Sequence, residues 1–156
     1  MNAKHISDYY WDALLPVRTD KIAAQLGFIV QPIDTTKNPQ AHLIVSLEND
    51  KPTIYYNKND KTSDIRKIIA IGIAKIVSLH ISLKETVIYG KDVFVKKDSL
   101  THMLDVEMAN KIVVPYEALN VLITKSKCYE ISELAKAFDV SEYEIYKRLK
   151  ETKFLP

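Results

Sequence analysis

The chain has 156 residues, 47% hydrophobic and 27% charged, with three glycines and six prolines. That is one domain, or one with a small appendage, able to bury its own core; disordered, collagen-like and low-complexity classes are excluded. The lone Cys128 excludes a disulfide scaffold and a multi-cysteine zinc site, and predicts a reducing, cytoplasmic setting.

The net charge of +2 is evenly spread: residues 1–60 carry six basic and seven acidic side chains, 61–110 eight and six, 111–156 eight and seven. A non-specific polycationic nucleic-acid binder is therefore not expected. The first twenty residues hold Asp8, Asp12, Arg18 and Asp20 and lack the apolar stretch of a targeting signal. The most apolar run, Ile68 to Leu83, has Lys75 at its centre and Ser78, His80 and Ser82 after it within the run, so it reads as a buried helix and not a membrane span.

In chain order, a short helix starts near Arg18, with Ile22, Ala23 and Leu26 on its apolar face and Gly27 as its stop. Strands follow at Phe28–Ile33, His42–Leu47 and Thr53–Asn57, the last two joined as a hairpin by Glu48-Asn49-Asp50-Lys51. Ser63 and Asp64 open a long helix that is apolar on nearly all faces and so lies deep in the domain. Thr86–Tyr89 and Val93–Val95 suggest a second hairpin, and a helix from about Ser99 to Val113 ends before Pro115. Residues 116–123 read as helical. Two short helices close the chain: Ile131, Leu134, Ala135 and Phe138 line the first, Asp139-Val140 is the turn, and Ser141 with Glu144 makes a capping box for the second. The fold class is α+β, a small, mostly antiparallel sheet packed on helices.

Arg66-Lys67-Ile68-Ile69-Ala70-Ile71-Gly72-Ile73-Ala74-Lys75 resembles the active-site helix of the ImmA/IrrE metallopeptidases, which reads Arg-x-Thr-[Ile/Leu]-Ala-His-Glu-[Leu/Ile]-Gly-His. Met108 to Pro115 resembles that family's Phe-Ala-x-x-Leu-Leu-Met-Pro segment, residues 131–141 its tail, and residues 14–56 its N-terminal part. The resemblance covers roughly residues 14–150. It implies a zincin-like core over 1–125 and a helix-turn-helix-like tail over 126–156 packed on it.

The helix matches in frame but not in chemistry. A zinc peptidase needs two His at i and i+4 with a Glu beside the first as general base. Ile71 stands at the first His position, Gly72 at the Glu position and Lys75 at the second His position. The family's third ligand is a Glu on the next helix; an ungapped count from Pro115 places Leu104 there, a gapped one Met108. The resemblance therefore implies a pseudo-enzyme with no zinc, no other cofactor and no catalysis, in which Ile71 and Lys75 point into the former cleft and Lys75 reaches water or a carboxylate.

Other chemistry is sparse. Of His5, His42, His80 and His102, His80 reads as a packing residue. A metal site of Asp98, His102 and Asp105 is outweighed by a solvated polar face, and Cys128 reads as a buried or partly buried thiol. A hydrolase relocated to His80, His102 and Cys128 has no supporting spacing. Tyr9-Tyr10-Trp11 is either a lid on the core or a protein contact.

Active members of the resembled family cleave helix-turn-helix repressors of mobile elements or stress regulons. A peptidase cleft takes its substrate as a strand along a sheet edge, so binding can outlive chemistry. The expectation is an interaction protein of a prophage or mobile element, an antirepressor or adaptor, that holds a repressor-type partner through Tyr9, Tyr10, Trp11, Ile71 and Lys75. The alternative is a small DNA-binding regulator that reads DNA with Tyr143, Lys147, Arg148 and Lys150 of the tail. DNA could also be reached through the partner; no membrane is expected.

Overall fold

The computed structural model describes residues 6–36, 41–47, 51–78, 86–90 and 100–156. Helices pack against a small mixed sheet in the order α1 (Ile6–Tyr10), α2 (Thr19–Gln25), β1 (Ile29–Pro32), β2 (Ala41–Ser46), β3 (Thr53–Tyr56), α3 (Thr62–Ser78), β4 (Thr86–Gly90), α4 (Leu100–Val113), α5 (Tyr116–Asn120), α6 (Ile131–Phe138) and α7 (Glu142–Glu151). A π-helical turn, Val121–Lys125, continues α5.

Local signals account for most of these boundaries. Gly27 at φ +85° ends α2, and the Gly27 and Phe28 amides donate to the Ala24 and Ala23 carbonyls. Asp139, left-handed at φ +53°, ends α6. The capping box forms in full: the Ser141 hydroxyl accepts from the Glu144 amide at 3.1 Å, and Glu144 Oε2 accepts from the Ser141 amide at 3.0 Å. Two expectations shift. The long helix opens at Thr62, which puts Ser63 inside its first turn, and residues 6–10 form the helix α1, which no cap or periodicity announced. The hairpin loop at 48–50 and the strand expected at Val93–Val95 lie outside the described residues.

The sheet order is β1-β3-β2-β4. β2 pairs antiparallel with β3 (Leu43 opposite Tyr56) and with β4. β1, however, pairs parallel with β3 (Ile29 opposite Thr53), so the sheet is mixed. The cause is connectivity: β1 does not turn back on β2 but lies beyond β3, on the far side of the β2–β3 pair. Parallel pairing of strands that are not sequential leaves no turn signature in sequence.

α3 lies across the sheet and is buried on the Ile69, Ala70, Gly72, Ile73 and Ile76 positions. One apolar core joins α2, α3 and α4 to Leu43, Val45 and Ile54 of the sheet. A second joins Val114, Ala118 and Leu119 to Leu134, Phe138, Ile145 and Leu149 of the tail. The tail thus packs with the 114–119 segment as one unit. Trp11, Leu15 and Val140 pack against both cores and bind them together. No described helix is long and apolar enough to cross a membrane.

Candidate functional site

Residues 71, 72 and 75 lie on two faces of α3. Gly72 faces the sheet. A Cβ there would sit 2.8 Å from Ile54 Cγ2, so glycine is what lets α3 settle onto β3. Ile71 is half-buried against the main core. Lys75 turns toward α4 and is 1% exposed, with Nζ 2.5 Å from Oδ2 of Asp105, itself 0% exposed. A buried ammonium is costly alone and tolerable beside a carboxylate. The expected carboxylate partner for Lys75 is present.

The residue opposite Lys75 is neither Leu104 nor Met108, the two positions the resemblance offered for a third ligand. Leu104 is 41% exposed and points away. Asp105, one position later, faces the seam, and Met108, a turn further, receives a hydrogen bond from Ser78 Oγ at 3.1 Å. One residue on a helix rotates a side chain by about 100°, enough to exchange an exposed leucine for a buried aspartate. Leu104 therefore lies on the exposed side of α4. Lys75 is unable to contact a partner, since no part of it reaches the surface.

In the tail, Arg148 is 6% exposed. Its Nε donates to the Val114 carbonyl at 2.9 Å and its Nη1 pairs with Glu151 at 3.1 Å. It is a core tie and cannot reach a phosphate. Tyr143 is 71% exposed. Lys147 lies 3.8 Å from Glu107 on α4, and Lys150 sits over the Tyr146 ring at 5.2 Å from its centroid. The start of α7 is held against α3 by Arg66–Asp139 at 2.5 Å and by the Lys67–Glu144 pair. Burial alone would raise the Glu144 carboxyl; the hydrogen bond from Lys67, with the Ser141 amide and the Lys67 charge, holds it below its usual value instead.

In the aromatic run, Tyr9 projects into solvent while Tyr10 and Trp11 pack on the core. Trp11 Nε1 donates to the Leu14 carbonyl at 2.8 Å. His42 carries an interaction that sequence spacing does not reveal: its Nδ1 lies 2.5 Å from Oδ2 of Asp60, tying the β3–α3 loop to β2. Cys128 is partly buried. His5, His80 and Asp98 lie outside the described residues, as does the side chain of His102. Among the described residues no three His, Cys, Asp or Glu side chains converge. The chain matches no protein-family profile, no curated protein and no solved structure.

Proposed function

We propose that this chain is a degenerate ImmA/IrrE-like domain that works by holding a protein partner and does not hydrolyse peptide bonds. The observation that carries the reading is the buried Lys75–Asp105 pair. At the position of the second zinc-binding His it puts an ammonium, which has no lone pair to give and repels Zn²⁺. The Asp105 carboxylate beside it is already engaged by that ammonium. At the general-base position, Gly72 faces Ile54 with no group that could take a proton from water. By the resemblance, the partner is a helix-turn-helix repressor of a prophage or mobile element.

The DNA-reading alternative has less support. Arg148 is engaged inside the fold, and the start of α7, the end that enters the major groove in a helix-turn-helix reader, is tied to α3.

The test has two arms. Purified protein is loaded with excess zinc, dialysed and assayed for metal; far less than one equivalent is expected. The tagged chain is then used to capture proteins from lysate of its native host, with and without nuclease. A repressor recovered intact in both samples is the expected result. A dialysis-resistant equivalent of zinc, or cleavage of the captured repressor, overturns the reading. Proteins recovered only without nuclease would shift the assignment to DNA.

A further inference from the structure

The boundary between the two apolar cores falls between successive residues. Val113 belongs to the first core and Val114 to the second. α4 ends there. The Val114 amide donates to the Asn110 carbonyl at 2.9 Å, and Pro115 has no N–H to continue the ladder. Helical hydrogen bonding resumes where the Leu119 amide donates to the Pro115 carbonyl at 3.1 Å. Element-terminal residues of this kind can absorb a large change of backbone angle.

Beyond that point the tail holds itself together. Its core joins Leu134, Phe138, Ile145 and Leu149 to Val114 and Leu119, and Arg148 Nε fastens α7 to the Val114 carbonyl at 2.9 Å. Among the described residues, the apolar side chains common to both cores are Trp11, Leu15 and Val140, all half-buried. The side-chain polar ties from the tail to α3 and α4 are ionic: Arg66–Asp139 at 2.5 Å, the Lys67–Glu144 pair and Lys147–Glu107 at 3.8 Å, each of them partly exposed.

The two pairs on α3 reach across a space. A cavity of about 320 Å³ separates the start of α3 from the α6–α7 turn, with Ser63, Asp64 and Lys67 on one side and Asp139, Ser141 and Glu144 on the other. A polar space of that size has room for water. Charge, more than apolar contact, therefore holds these two sides together, and attraction between partly exposed charges weakens as salt rises.

We propose that residues 114–156 form a hinged tail that pivots at Val113–Pro115 and is latched to α3 by the Arg66–Asp139 and Lys67–Glu144 pairs, so that ionic strength sets how often the start of α7 leaves α3. The latch does not depend on the partner-binding reading. Pivoting breaks the Val114–Asn110 hydrogen bond and leaves the inside of the tail intact. The test is amide hydrogen exchange on the full chain, read residue by residue by NMR, where the rate follows the open population. Val114 is 1% exposed, yet its amide should exchange well ahead of those of Phe138 and Leu149, which are freed only when the tail itself unfolds. Two partly exposed ion pairs together change the open population by about two- to thirtyfold. Arg66→Gln/Lys67→Gln should speed Val114 exchange by that factor. Raising NaCl from about 0.05 M to about 1 M should speed it in the unaltered chain and much less in the variant. If Val114 exchanges no faster than Phe138 and Leu149, the tail leaves only by unfolding and the proposal is overturned. It is equally overturned if Val114 exchanges early but responds to neither the substitutions nor salt, because the end of α4 is then merely fraying.

Discussion

Replacing Lys75 by Met removes the ammonium while keeping an unbranched side chain of similar length. Asp105, at 0% exposure, is then left without the cation it meets at 2.5 Å. Removing one member of a buried pair costs about 3–5 kcal/mol, because the other charge stays desolvated. In a chain of 156 residues that corresponds to a melting temperature about 6–20 °C lower. Asp105→Leu should cost a similar amount by stranding the ammonium. The double variant Lys75→Met/Asp105→Leu removes both desolvated charges and should recover to within about 1 kcal/mol of the parent, or exceed it. Urea unfolding of the four proteins closes the cycle. A coupling of several kcal/mol is expected. If each single variant costs under about 1 kcal/mol and the double variant is simply their sum, the buried-pair reasoning is refuted.

Two further outcomes follow from the packing. Gly72→Ala gains about 0.5–1 kcal/mol of helix propensity but places a methyl 2.8 Å from Ile54 Cγ2, and overpacking of that kind costs about 1–3 kcal/mol. Net destabilisation by urea unfolding is expected in the parent, and net stabilisation when the same change is made in an Ile54→Ala background. Glu144→Gln breaks the contact with Lys67 and weakens the cap of α7, costing about 1 kcal/mol at neutral pH. Because the Glu144 pKa is lowered on folding, its contribution is complete above the ordinary carboxylate range and is lost as pH falls through the folded value. The stability of Glu144→Gln should therefore fall less steeply on acidification; parallel pH profiles would argue against the assignment.

The elements that sequence made legible are those written in short-range chemistry. Gly27 stops α2, Asp139 turns left-handed after α6, and the Ser141–Glu144 box opens α7, because each involves a few neighbouring residues and one or two hydrogen bonds. The depth of α3 was also legible, since a helix apolar on nearly every face has nowhere to lie but the interior. So was the need of Lys75 for water or a carboxylate, of which the fold supplies the carboxylate. The identity of that carboxylate was not, because it depends on the rotation of α4 against α3 across 30 residues of sequence. A phase error of one residue separates exposed Leu104 from buried Asp105.

Arg148 shows the same limit. Its sequence neighbours Lys147 and Lys150 make it look like part of a basic stripe, yet helical geometry turns it onto the Val114 carbonyl. The parallel β1–β3 pairing, the His42–Asp60 contact and the ion pairs from α3 to Asp139 and Glu144 likewise join residues from separate elements. Sequence by itself determined the α+β class and the main helices and strands, because composition, period and caps act locally. Tertiary structure alone decided which charges are buried and which are paired, because those depend on how the elements rotate and stack against one another.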